Sequence, residues 1–194
     1  MDFEQLVALT LFAFVSTFTP GPNNIMLMTS GANVGFARTI PHMLGIAVGF
    51  SVMLLLVGFG LIGVFNAYPV VHQILKYLSL IYLVYLALKI ATSGKAGKVD
   101  DFKPLTFLGA ASFQWVNPKG WSMALTAITV YSSGNSLAQL LLISLVFMLV
   151  NLPSVSFWAA AGRELQRWLT TPMRIKGFNI SMAALLLAST VPML

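Results

Sequence analysis

A chain of 194 residues that is 58% apolar and carries 11 Lys+Arg against 5 Asp+Glu lies far below the roughly 25% charged residues of a soluble domain. So few charges cannot cover a folded surface, and the apolar residues come in runs longer than the roughly 18 that mark a membrane span. Together these facts exclude a soluble enzyme, a nucleic-acid binder and a secreted disulfide scaffold, and they make the net charge of +6 a topology signal to be read from the loops that carry it.

The chain has no cysteine, which removes disulfides, thiolate metal sites and cysteine nucleophiles together. It opens on Met1, Asp2, Phe3 and Glu4, without the basic leading segment of a cleavable signal peptide, so the first apolar run is expected to stay as a helix. Spans of about 20 residues are predicted over 6–33, 41–65, 70–91, 107–131, 136–161 and 177–194. The fold class expected is an all-α integral membrane protein with six transmembrane helices.

The first span is too long for a perpendicular crossing and contains Thr19-Pro20-Gly21-Pro22-Asn23-Asn24. Proline removes a backbone donor and clashes with the preceding turn, while glycine tolerates an unwound backbone, so this helix is expected to be broken. Gly31 and Gly35, then Gly45 and Gly49, have GxxxG spacing, which permits close helix approach within the fold or between subunits of a homo-oligomer. The third span holds Lys76 near its outer end, where the side chain can snorkel. After it comes a Lys/Asp/Gly-rich stretch at 92–103, the natural seam of the chain.

The fourth span carries a second break, Asn117-Pro118-Lys119-Gly120, and Lys119 is the one charge that these spans place at bilayer depth. A charge there costs roughly 2.5 kcal/mol or more. Its partners must be carbonyls, waters, the asparagines of the breaks or an anionic group on a substrate, because Asp2, Glu4, Asp100, Asp101 and Glu164 all fall at ends or in loops. Asn151-Leu152-Pro153 in the fifth span reads as a third, weaker break. The sixth span is short and holds Pro192. Residues 67–69 and 132–135 leave room only for tight turns.

Numbered in order, the first loop carries Arg38, the third Lys89, Lys95, Lys98 and Lys103, and the fifth Arg163, Arg167, Arg174 and Lys176. Odd loops should therefore face the cytoplasm and both termini the outside. Tyr68, Tyr77 and Tyr131 fit an outer aromatic belt and Trp158 and Trp168 an inner one; Trp115 and Trp121 fit neither. Three spans on each side of the seam mean that the second half enters the membrane from the opposite face. The expected organisation is one transporter domain over 1–194, built from inverted repeats at 1–91 and 107–194 with a cytoplasmic linker at 92–106.

Interrupted helices at matching places in inverted halves point to a midplane substrate site. The candidate site residues are Pro20, Gly21, Pro22, Asn23, Asn24, Asn117, Pro118 and Lys119, with no catalytic residue, metal or cofactor. The half-helix after Pro22 would present free amides from Asn23 to Ile25 to a carboxylate. Asn24, Asn117 and unwound carbonyls would receive an ammonium, and Lys119 would steady the carboxylate or titrate. His42 and His72 fall at span edges and read as interfacial packing, and Met26, Met28 and Met43 as core or lipid-facing fillers.

These residues resemble the LysE/RhtB amino-acid efflux family over nearly the whole chain. The resemblance is carried by Thr19-Pro20-Gly21-Pro22 with Gly35, Gly45 and Gly49, by Tyr82-Leu83-Val84-Tyr85-Leu86 ahead of Lys89, and by Asn117-Pro118-Lys119. The stretches 19–25 and 89–93 look closest to the branch exporting cysteine and O-acetylserine, whereas Thr39 and Ser79 stand where many members have glycine. The resemblance implies a bacterial inner-membrane exporter of small neutral amino acids or derivatives, with the proton as coupling ion. Membrane lipid and the amino acid are then its partners, without nucleic acid. The rival reading is a passive channel, which needs a continuous polar stripe; an intramembrane enzyme needs a carboxylate pair, metal cluster or Ser-His arrangement that the spans lack.

Overall fold

The computed structural model describes residues 1–61, 69–93, 102–132 and 136–189. Regular structure among them is helical throughout: α1 Phe3–Phe18, α2 Pro22–Leu56, α3 Pro69–Thr92, α4 Phe107–Phe113, α5 Pro118–Tyr131, α6 Leu137–Gln166 and α7 Pro172–Ala188. A π turn at Val57–Leu61 follows α2, and a 3-10 turn at Gln114–Val116 separates α4 from α5. Tyr68, Lys95, Lys98, Asp100, Asp101, Pro192 and most of the seam lie outside the described residues, as do the side chains of His72 and Lys76.

Local chemistry sets the helix starts. Asp2 caps α1 by accepting from the Gln5 amide at 2.7 Å, while the Gln5 side chain accepts from the Asp2 amide at 3.2 Å, a reciprocal capping box. Pro22, Pro118 and Pro172 each open a helix, where the missing N–H is one that no helical carbonyl would use. Thr106 and Thr171 cap α4 and α7 through their hydroxyls.

The spans differ from those drawn on the sequence. Three helical stretches, Pro22–Gly60, Gln73–Thr92 and Leu137–Gln166, are long and apolar enough to cross a membrane, and α1 is a shorter apolar helix. The chain is thus an all-α, multi-spanning membrane protein with several short helical pieces, because α1 and α4 stop at the polar interruptions. Residues 34–40, expected as a loop, are helical apart from Gly35, whose φ of 80° lies in the left-handed region that favours glycine. Nine residues of straight helix would separate Ser30 from Thr39 by about 13 Å along the axis. Their hydroxyls instead meet at 2.9 Å, so α2 folds back at Gly35. Arg163 lies in the last turn of α6, and Arg174 and Lys176 in the first turns of α7. The fifth loop is correspondingly shorter than expected. The break expected at Asn151-Leu152-Pro153 is absent: α6 runs through it, and Pro153 only deprives the preceding turn of one donor.

Packing is led by α2 against α6, with α3 against α7, α4 against α2 and α1 against α6. One core gathers Leu9, Phe50, Leu54, Trp121, Ile143 and Phe147; a second joins Ile25, Met26, Leu83, Leu86, Phe113 and Met182. Large apolar side chains such as Leu11, Phe14, Ile81, Leu88, Leu108 and Leu145 face outward, where lipid is their solvent. Trp115 and Trp121, which fit no interfacial belt, form an edge-to-face pair at 6.0 Å, and the Trp121 indole donates to the Trp115 carbonyl at 2.9 Å.

The GxxxG glycines serve contacts inside the chain. A Cβ on Gly31 would strike the Ala159 carbonyl, one on Gly162 the Met28 carbonyl, and those on Gly45 and Gly49 the backbone of α4. Lipid gives helices no hydrophobic drive to associate, so such close backbone approach holds the bundle together. Gly162→Val is expected to lose more than the roughly 1–3 kcal/mol of ordinary overpacking, since backbone meets backbone and no side chain can yield. Thermal unfolding in detergent should be clearly lowered relative to Gly177→Val, whose Cβ meets nothing within 4 Å; equal melting of the two would refute the crossing.

Candidate substrate site at two helix interruptions

The chain leaves α1 at Thr19, passes through an extended Gly21 (φ −176°, ψ 179°) and re-enters helix at Pro22. In the second half it leaves α4 through the 3-10 turn, passes through an extended Asn117 and re-enters helix at Pro118. The irregular backbone is therefore shorter than the sequence motifs: Pro22, Asn23 and Asn24, like Pro118, Lys119 and Gly120, already form first helical turns. Neither new helix has a side-chain cap, at Gly21 or at Asn117. The Ile25 amide bonds the Gly21 carbonyl at 3.0 Å and the Trp121 amide the Asn117 carbonyl at 3.1 Å. The uncapped donors are consequently the amides of Asn23 and Asn24 and of Lys119 and Gly120; Ile25 is not among them.

The two interruptions are tied to each other. Lys119 Nζ donates to the Thr19 carbonyl at 2.7 Å, the Thr19 hydroxyl at 2.8 Å and, more weakly, the Pro20 carbonyl at 3.4 Å. A cation thus sits at the C-terminal end of α1, where the helix dipole favours it. Asn24 Nδ2 donates to the Thr17 and Thr19 carbonyls at 2.7 and 2.8 Å, and Ser154 of α6 adds a bond to Thr17 at 2.8 Å. The Thr17 and Thr19 carbonyls, left without helical donors where α1 ends, are in this way satisfied by protein, as irregular backbone away from water requires. Asn23 and Gln114 exchange amide bonds at 2.9 and 3.2 Å.

All of this surrounds one cavity, lined by Gly21, Asn23, Asn24, Asn117, Lys119 and Gly120 from the interruptions and by Ser16, Thr17, Phe50, Gln114, Met123 and Asn151 around them. The sequence reading named five of these residues as site candidates, Gly21, Asn23, Asn24, Asn117 and Lys119. Pro20 and Pro22 shape the backbone beside the cavity, and Pro118 opens α5, without lining it. The reading missed Gln114, fully buried, although a glutamine one turn before Asn117 in an apolar run was its visible signal. Asn151 was noticed as a break and is instead a buried lining residue. Asn117 Oδ1 is buried without a hydrogen-bond partner among the described residues, an acceptor held in reserve. The cavity is small and partly open to its surroundings.

Chemically the site offers two helix N-termini, an ammonium and an unused amide oxygen, with no carboxylate. It favours a carboxylate at the amides and an ammonium at Asn117. No solved structure matches the chain. Residues 14–193 match the LysE type translocator family. The chain belongs to that family. The LysE chain is therefore a transporter and not an enzyme. It is 29% identical over 164 residues to the cysteine/O-acetylserine efflux protein of Salmonella typhimurium, covering 84% of each chain. It is 28% identical over 188 residues to the protein of that name from Escherichia coli O139:H28, covering 96% of this chain and 95% of the relative.

Gly21 packs directly against Lys119 of the other interruption in this translocator, since a Cβ there would lie 2.8 Å from Lys119 Cδ and 3.2 Å from Nζ. Gly21→Ala leaves the extended backbone available, and a flexible lysine can yield. The expected result is an unfolding midpoint near wild type with transport lowered at least about tenfold, as the ammonium leaves Thr19. Wild-type transport would disconnect the Lys119 geometry from function.

Proposed function

We propose that the chain is a secondary-active exporter of small neutral amino acids or their derivatives, of the cysteine, O-acetylserine, homoserine or threonine type, in a bacterial inner membrane. The observation that carries this reading is the convergence of two uncapped helix N-termini, Lys119 and the unpartnered Asn117 oxygen on one cavity. The names of the relatives supply the substrate class.

The architecture we infer has six crossings in two inverted repeats, 1–91 and 107–194, joined by a cytoplasmic linker at 92–106. Three features support it. A helical stretch of 39 residues would be about 58 Å long, nearly twice the roughly 30 Å hydrocarbon core, so its fold-back at Gly35 divides it between two crossings, the first of which α1 begins. The helix pairings follow a two-fold pattern: α2 with α6, α3 with α7, and α2 with α4 mirrored by α6 with α1. Gly21-Pro22 and Asn117-Pro118 each open the second half of an interrupted span. The positive-inside distribution then places both termini outside, which reporter fusions at Asp2 and Ser189 can read; a cytoplasmic carboxyl terminus would remove the inverted repeat.

In this mechanism the substrate carboxylate lies at the amides of Asn23, Asn24, Lys119 and Gly120, where the helix ends bear partial positive charge. The substrate ammonium takes Asn117 Oδ1. Pro20, Gly21, Pro22 and Pro118 hold the backbone that aims these groups. Transport in this reading proceeds by alternating access, with the two halves rocking about the site and driven by the proton gradient. The test is accumulation of O-acetylserine or cysteine by energised everted vesicles. Uphill accumulation that collapses with the proton gradient is the expected result, and movement only to equilibrium would establish the channel instead.

A further inference from the structure

His42 was expected at a span edge in interfacial packing. It is buried within α2 at 2% exposure, and neither ring nitrogen has a hydrogen-bond partner among the described residues. An imidazole is amphoteric, so its burial leaves one donor and one acceptor unmet. The ring lines a second cavity with Met26, Ser30, Leu86, Ile90, Phe102 and Leu105, whose rim carries the exposed Lys89 and Lys103. Thus α3 and the segment before α4 each bring an ammonium to the cavity, and no carboxylate among the described residues lines it. Ser30 is held by Thr39 across the Gly35 turn, and Thr39 also donates to the Gly35 carbonyl at 2.8 Å.

The two cavities share one helix. Asn23 and Asn24 in the first turn of α2 line the first, while Met26 and Ser30, about 4 and 10 Å further along the axis from Asn23, line the second. Lys89 and Lys103 belong to the basic loop assigned to the cytoplasm, which puts the second cavity on that side of the first.

We propose that the His42 cavity is an entry subsite for the exported amino acid, at which Lys89 and Lys103 draw in its carboxylate and His42 with Ser30 hydrogen-bond its polar end before it passes along α2 to the helix interruptions. The inference rests on the exporter reading. Chemistry on both sides agrees: two ammonium groups at an opening concentrate an anionic group there, and a zwitterion supplies both a donor and an acceptor to the unmet ring nitrogens. An apolar wall of Met26, Leu86 and Ile90 selects against a charged side chain.

The test is uptake of O-acetylserine by everted vesicles, which present the cytoplasmic face to the medium, with wild type, His42→Phe and the double variant Lys89→Gln/Lys103→Gln. Replacing an unpartnered buried imidazole by a ring of similar shape should leave the protein as stable as wild type or more so. The expected result is a KM raised roughly tenfold in each variant, from loss of hydrogen bonds to a charged group, with the maximal rate kept and the unfolding midpoint of His42→Phe unchanged or raised. A wild-type KM in His42→Phe would overturn the subsite while leaving the exporter reading intact. A lower maximal rate at unchanged KM would also overturn it, assigning His42 to the transport step. A wild-type protein that accumulates no neutral amino acid would overturn the exporter reading and this inference with it. If His42→Phe fails to fold, the double variant decides, since both lysines are exposed.

Discussion

Lys119→Met is expected to reduce transport by at least about a hundredfold while expression and membrane insertion stay near wild type. In the proposed six-crossing architecture Lys119 lies at bilayer depth, so removing its charge favours insertion, by roughly 2.5 kcal/mol or more on insertion scales. Against that stands the loss of the bonds to Thr19 and Pro20, but the Thr19 carbonyl keeps its bond from Asn24. No buried carbonyl there is stripped of every donor. The lost function has two sources in one side chain: Lys119 supplies the only ammonium lining the cavity, and it clips the start of α5 to the end of α1. Lys119→Arg separates them, because a guanidinium keeps the charge while its bulk must fit beside Gly21, where there is no room even for a Cβ next to the lysine stem. Vesicle transport beside a quantified membrane fraction is the measurement. Normal transport by Lys119→Met would remove the residue from the mechanism, and normal transport by Lys119→Arg would leave charge as its only contribution.

The parts of this protein that were legible in the sequence are those for which one residue type has few physical alternatives. Pro22 and Pro118 announced helix starts because proline fixes φ and lacks the donor that a first turn does not need. Lys119 announced a polar site because a lone charge in an apolar run requires partners, and carbonyls of the other interruption were among those foreseen. Gly35 was noticed for its spacing, yet its role as a left-handed turn that folds α2 back was hidden, since GxxxG says nothing of φ. The same spacing at Gly45 and Gly49 left subunit contact open until α4 was found against both. His42 was placed by linear position at a span edge; once residues 34–40 proved to be helix rather than loop, that edge lay in the interior. Pro153 looked like Pro22 in sequence, but without an adjacent Gly-Pro or Asn-Pro pair and with α1 and α2 packed along α6, the helix continues through it.

The strongest discrimination expected of the transporter is against cationic cargo. Lysine and arginine should be exported at least about a hundredfold less efficiently than a small neutral amino acid, measured as the ratio of maximal rate to KM. Among the described residues no carboxylate lines either cavity, and a cationic side chain at membrane depth needs a compensating anion. Lys119 adds repulsion of the same sign. The α-carboxylate of a zwitterion, by contrast, meets that ammonium and the amides at the starts of α2 and α5. The side chains of cysteine, O-acetylserine, serine and threonine ask only for a few polar atoms, which Ser16, Thr17, Gln114 and Asn151 supply around the cavity. Among the described residues the acidic side chains are Asp2, Glu4 and Glu164; Glu164 stands at the end of α6, paired with Arg167 at 3.1 Å, and does not line the cavity. Asp2 is committed to the α1 cap through Gln5, and Asp2 and Glu4 both stand at the opposite end of a 16-residue helix, about 24 Å along its axis from the interruption. Export of lysine at a rate matching the best neutral amino acid would refute the reading of the site, and Asp2→Asn with Glu4→Gln would then reveal whether α1 reaches the cavity by its other end.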